Sequence, residues 1–239
     1  MSARSPIGSI VATTRGDDGT TGLLFGGARI TKDDPRAEAY GTIDEAVAAL
    51  GLARANLGLK RRAGTLTLPM GGLADLILRF QRELFVVGAE LATNPEAWDR
   101  LEDGRTRVSA AMVEGVETLL LELEATITMP TEFVVPGETM TSAALELART
   151  ILRRAERRAV ALRRDGLVPG DHLLPYINRL ADLLWVLARA AEQAESRSAT
   201  PARTTPPRTT TARKRSSTEA SSASHRDGRT IPASKEEPA

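Results

Sequence analysis

An all-α fold, five helices packed as a bundle, is what this sequence predicts. Three observations carry it. Apolar residues step by alternating threes and fours, and glycine and proline cluster between the stepped runs. Strand-like pieces are confined to Ile10-Val11 and to residues 133–135. Such stepping keeps one stripe of each helix on a neighbour and suits packing at about 20°.

The first stripe is Ala39, Ile43, Ala46, Leu50, Ala53 and Leu57, with Pro35 where a helix start tolerates a missing N–H. Gly71 and Gly72 precede the second, formed by Leu73, Ile77, Phe80, Leu84, Val87 and Leu91, and Asn94-Pro95 closes it. A shorter third stripe is Met112, Val116, Leu119 and Leu123. Pro136-Gly137 opens the fourth, through Leu145, Ala148, Leu152, Ala155, Ala159 and Leu162. Asp165-Gly166 and Pro169-Gly170 separate it from the fifth, through Leu173, Ile177, Leu180, Leu184, Leu187 and Ala191. Helices of about twenty residues span about 30 Å each. The expected organisation is an N-terminal loop region at 1–34, a helical bundle at 35–195 and a tail at 196–239.

Composition narrows the chemistry. Aromatic residues are only 3% of the chain, so the core must be built from Leu, Ile, Val and Ala. Cysteine is absent, which removes disulfides, thiolate nucleophiles and thiolate metal sites. His172 and His225 are the only histidines, which argues against a His-rich metal centre or a His-dependent triad. No apolar run reads as a signal peptide or a membrane span, so a cytoplasmic protein is expected.

The charge is unevenly spread. From Ser196 onward there are nine Lys/Arg against four Asp/Glu, and the rest of the chain has 23 against 27. The tail is Ser, Thr, Pro, Ala and Arg with almost no large apolar residue, so it is expected to be disordered. A solvated tail is the plainer reading, and a basic arm for a partner the sharper one. No aromatic residue is interleaved with its charges, which weighs against nucleic-acid binding.

Three patches stand out against the bundle. The segment TTRGDDGTTGLLFGG (13–27) gathers glycines, hydroxyls and acids ahead of the first helix. Backbone amides freed by glycine, with threonine hydroxyls, suit a phosphate, and Asp17 or Asp18 suits an accompanying Mg²⁺. No GxxxxGK[ST] occurs, so this is not a Walker A loop, and composition alone fits a plain flexible loop. Lys32 lies just beyond.

The second patch is LARTILRRAERR (147–158). Arg149, Arg153 and Glu156 fall within an arc of about 60° on a helix, beside the apolar stripe. Like charges at i,i+4 cost a few tenths of a kcal/mol without a shared anion, and a triphosphate or an acid such as Asp44 or Glu45 reverses the sign. Arg154 and Arg158 point elsewhere, as ordinary surface charge. In the third patch, YINRLADLLWVLAR (176–189), Asn178 and Asp182 share a face. An Asn there serves either helix registry or a nucleotide contact, and spacing does not choose between them.

In this order the patches resemble the PduO-type ATP:cob(I)alamin adenosyltransferases. That family carries a TGDxGTT-like loop, a Lys, an AYGTxDE helix start, an FxxPG element, an ARxxxRRAER helix and an LNRLSD segment. The matches are GDDGTT, Lys32, AYGTIDE (39–45), FVVPG (133–137), ARTILRRAER (148–157) and INRLAD (177–182). The resemblance covers about 14–189.

It implies a ferritin-like five-helix bundle, assembled as a homotrimer with ATP between subunits, that makes adenosylcobalamin and triphosphate from ATP and cob(I)alamin. Residues 1–34 become a nucleotide-binding loop, in which Thr14, Gly16, Asp17, Gly19, Thr20, Thr21 and Lys32 hold the triphosphate with Mg²⁺. Arg149 and Arg153 bind phosphates or bridge subunits, with Asp44 partnering Arg149, and Glu156 and Asn178 complete the nucleotide site. Phe133 lies under the corrin and keeps the lower cobalt ligand away, which makes Co(II) easier to reduce. A reductase and an adenosylcobalamin-dependent mutase are the implied partners.

Departures sit close to the implied site: TTRGDD for TRTGDD, DEAVAAL for DELNSAL, Glu146 for a common His, and PGE for PGG. They leave room for a non-catalytic ATP or corrinoid carrier of the same fold. A structural bundle with a partner-recruiting tail is the reading from another class.

Overall fold

A computed structural model describes residues 8–60, 67–68 and 71–203. The elements run β1 (Thr20–Thr21), β2 (Ile30–Thr31), α1 (Pro35–Lys60), β3 (Thr67–Leu68), β4 (Gly71–Gly72), α2 (Leu73–Leu91), a 3₁₀ turn (Pro95–Arg100), α3 (Ala110–Glu124), β5 (Val134–Val135), α4 (Met140–Arg164), α5 (Leu173–Ala194) and β6 (Thr200–Pro201). All five expected helices are present. The compact unit Met1–Arg203 contains them, and the expectation of disorder from residue 204 lies outside the described residues.

Local chemistry starts the helices where the sequence places them. Asp34 Oδ1 accepts the Arg36 amide (2.8 Å) ahead of α1. Ser109 caps α3 through the Met112 amide, and Thr139 and Ser142 form a reciprocal capping box on α4. Pro175 falls in the first turn of α5, where its missing N–H costs nothing.

α1 packs between α2 and α4, and α5 between α4 and α3. Arg158 of α4 meets Glu38 and Thr42 near the start of α1, while Asn56 near its end donates to Thr141 Oγ1 (2.8 Å), so α1 and α4 are antiparallel. Glu156 with Asn178 and Glu146 with Arg189 set α4 and α5 antiparallel in the same way. The Tyr176 hydroxyl donates to Glu83 Oε2 (2.7 Å) and ties α5 to α2. The stripes read from sequence are the core: Ile43, Leu50, Ile77, Phe80, Leu84, Val116, Leu145, Leu152, Leu180 and Leu187 are buried. Phe80 and Tyr176 are its fully buried aromatics.

The bundle therefore has two ends. One holds the N-terminal segment, the start of α1 and the α4–α5 turn. The other holds the end of α1, the α3–α4 loop and the end of α5. α4, with 25 residues, separates them by about 37 Å.

Three expectations are corrected. Ile10 and Val11 form no strand and stand in solvent, because no partner strand lies beside them among the described residues. Residues 196–203, expected as the start of the tail, include β6, paired with β5. The 13–27 segment is not plain loop: β1 and β2 pair as a hairpin. Composition did not show these, because two-residue strands carry no apolar alternation.

Candidate functional site

The N-terminal segment is built as a series of tight turns. Asp18 Oδ1 accepts the backbone N–H (2.9 Å) and the hydroxyl (2.8 Å) of Thr20, and these bonds hold its carboxyl below the usual range. Arg29, which the sequence reading passed over, ties the hairpin together. It donates to Thr20 Oγ1 (2.7 Å), to the Arg15 carbonyl (2.8 Å) and to the Thr20 carbonyl (2.9 Å). A lone Arg after two glycines gave no spacing signal.

Lys32 donates its amide to the Gly19 carbonyl (2.9 Å), and its side chain lies over Gly16. A Cβ at Gly16 would sit 3.0 Å from Lys32 Nζ and 3.1 Å from the Thr20 carbonyl oxygen, so a side chain there would crowd the ammonium by a few tenths of an ångström. Gly16, Gly19, Thr20 and Lys32 thus come together, with Thr14, Asp17 and Thr21 on the same short segment. The hairpin is fastened to the end of α2 by Leu24 N–H to the Ala92 carbonyl (2.8 Å) and Asn94 N–H to the Leu24 carbonyl (3.3 Å).

On α4 and α5, Asn178 Nδ2 donates to Glu156 Oε1 (3.0 Å), and Arg179 in turn donates to Asn178 Oδ1 (2.9 Å). The expected pair is joined, and both side chains are only partly buried. Arg153 is exposed on the same helix as Glu156.

Arg149 has a carboxylate partner within the chain. Its Nε donates to Glu146 Oε2 at 2.6 Å, and the other oxygen of Glu146 lies 3.3 Å from the buried Arg189. Asp44 does not hold Arg149 within the chain. It lines an open pocket with Leu24, Tyr40, Ile43, Phe85 and Ala89. Glu45 is also taken, by Arg154, and Arg158 pairs with Glu38 at 2.5 Å. The two arginines read as surplus surface charge are the ion-pair ladder between α1 and α4. At i,i+4 they look down on α1, a neighbour no single-helix projection reveals.

Phe133 is 89% exposed at the head of β5. It lies at the far end of the bundle from the hairpin, so one chain does not bring Phe133 and Lys32 together.

Residues 11–191 match the family described as cobalamin adenosyltransferase. This chain belongs to that family. It is 40% identical over 182 residues to the corrinoid adenosyltransferase of Citrobacter freundii, covering 76% of this chain and 94% of that one. It is 37% identical over 180 residues to the Bacillus subtilis corrinoid adenosyltransferase, covering 74% and 83%. Against the PduO corrinoid adenosyltransferase of Salmonella typhimurium the identity is 35% over 182 residues, covering 76% of this chain and 49% of that longer protein.

Among solved structures it resembles a variant PduO-type adenosyltransferase from Lactobacillus reuteri complexed with cobalamin and ATP. The TM-score is 0.68 at 27% identity, covering 81% of this chain and 96% of that one. Another variant of the same enzyme, complexed with ATP, matches with the same TM-score and covers 100% of that chain. The helical bundle is common to this family, and no helix among the described residues is long and apolar enough to cross a membrane.

Proposed function

We propose that this family member transfers the 5′-deoxyadenosyl group of ATP to a reduced corrinoid, releasing triphosphate. The observation that carries the reading is the bond from Asn178 of α5 to Glu156 of α4, with exposed Arg153 one turn from Glu156, in a chain whose relatives include a structure holding both cobalamin and ATP. Cob(I)alamin is the nucleophile. Its electron pair forms the cobalt–carbon bond at C5′, and the C5′–O bond breaks with its electrons leaving on the triphosphate. The substrate supplies the nucleophile, so a chain without cysteine loses nothing.

The chain's own residues position and neutralise. Lys32 over the Gly16 turn, with Thr14, Asp17, Gly19, Thr20 and Thr21, holds the triphosphate, and Arg153 offsets the charge that develops as it leaves. Asn178 and Glu156 hold the nucleoside end. Exposed Asp17 is the carboxylate that would help hold a Mg²⁺ and so offset triphosphate charge; Asp18 is committed to Thr20. Phe133 offers an exposed ring as the apolar floor beneath the corrin.

The hairpin and Phe133 occupy opposite ends of one chain, so each site takes them from two copies, in a homotrimer with ATP between subunits. In that assembly Asp44 is available to the Arg149 of a neighbouring copy. A cytoplasmic enzyme fed by a reductase and serving an adenosylcobalamin-dependent mutase is the setting this chemistry fits.

The test is anaerobic incubation of the purified chain with ATP, Mg²⁺ and chemically reduced cobalamin. The expected result is a light-sensitive organocobalt spectrum. ATP binding without that spectrum would overturn the reading in favour of a non-catalytic carrier.

A further inference from the structure

Nothing in the adenosyl-transfer chemistry calls on the residues that follow α5, yet the structure places them against the loop that carries Phe133. α5 ends at Ala194; Ser196 takes a left-handed φ of 55°, and the Arg197 amide returns to the Glu192 carbonyl (2.9 Å). This is a helix-terminating reversal. It sends the chain back along the α3–α4 loop, where β6 pairs antiparallel with β5, Val134 opposite Pro201 and Val135 opposite Thr200.

The register is chemically consistent. The Ala202 N–H donates to the Phe133 carbonyl at 2.7 Å. Antiparallel ladders alternate bonded and non-bonded pairs, so Pro201 falls where no N–H is needed. Side chains reinforce the pairing. Glu138 accepts from the Thr200 hydroxyl and lies 3.6 Å from Arg197. At the other end of the loop, Gln193 exchanges two bonds with the Thr128 backbone (3.0 and 2.7 Å).

Phe133 itself is 89% exposed, so packing does not fix its ring. Its backbone does. Gly137, at φ 128°, lets the loop turn from β5 into α4 without competing for that position.

We propose that residues 196–203 are a positioning strap that holds Phe133 for the corrinoid, a role resting on the adenosyl-transfer reading above. The segment acts through Phe133 and touches no substrate itself. The remainder of the tail, from residue 204, is not required for it.

The experiment compares the full chain, a chain ended after Arg203, a chain ended after Glu195, and Thr200→Pro in the full chain. The last removes a ladder N–H while leaving α5 intact. Amide exchange across 131–138 and the KM values for cob(I)alamin and for ATP are read on each. The chain ended after Arg203 should match the full chain. The other two should exchange faster at 133–135 and show a corrinoid KM raised roughly tenfold or more, with ATP KM unchanged.

Unchanged exchange or unchanged corrinoid KM in Thr200→Pro would overturn the strap, as would an equal loss in the chain ended after Arg203. A full chain with no adenosylation would overturn the proposed function instead, and the exchange comparison would still decide whether the segment holds the loop.

Discussion

Arg149 and Arg189 share one buried carboxylate: Glu146 accepts a hydrogen bond from Arg149 and lies at ion-pair distance from Arg189. Arg189 is 1% exposed and also meets Glu192 at 2.8 Å, so the group is a buried ionic cluster linking α4 to α5. Glu146→Ala leaves part of Arg189 without a partner and should cost about 3 kcal/mol. Chemical denaturation checks this, and a loss below about 1 kcal/mol would mean the cluster is wet. Arg153 has no such structural duty. Arg153→Ala should keep the native melting temperature while lowering kcat by about 10²–10³. Near-native turnover would remove Arg153 from the triphosphate site.

Glu90 gives a pH signature. Burial pushes its carboxyl up, and the amides of Val108 (2.7 Å) and Gly170 (3.1 Å) offset this only in part. A raised folded pKa favours the fold when the group is protonated. That stabilisation is complete below the unfolded pKa and is lost as pH rises through the folded one. The melting temperature of the native chain minus that of Glu90→Gln should therefore grow as pH is lowered from about 7 to about 5; a shrinking difference contradicts the assignment.

Between helices, burial and charge contribute unequally. Phe80 lies fully buried on α2 among leucines, and Phe80→Ala should cost about 3–5 kcal/mol by calorimetry or denaturant titration. The ion pairs of Arg154 with Glu45 and Arg158 with Glu38 join α1 to α4 at a partly exposed seam. Replacing Arg154 with Met should cost less than about 1 kcal/mol. The helix stripes were legible because one period, sampled five times, sets which face is buried. The ladder was not, because which arginine faces α1 depends on how α4 is turned against it. Arg29 was missed for a similar reason: its three bonds exist only once β1 and β2 have paired.

At the scale of the molecule, the separation of Lys32 from Phe133 by the length of the bundle has a direct consequence. If each site draws these residues from two copies, Lys32→Ala and Phe133→Ala chains, each nearly inactive alone, should regain activity when mixed and reassembled. Absence of complementation in a mixed trimer shown by mass to contain both chains would mean that each site is built within one subunit. Sedimentation of the native chain should give a trimer.

Five helices, their core stripes and the motif order that marks the family are all legible along the chain, because each is set by local spacing or by residue identity. Which charges meet came from the packing of the folded chain. It gave Arg149 a partner within the chain in Glu146, folded part of the expected tail back so that Thr200–Pro201 pairs beside Phe133, and set the hairpin and Phe133 at opposite ends. Contacts between groups distant in sequence follow from helix rotation and chain reversal, and a linear pattern encodes neither.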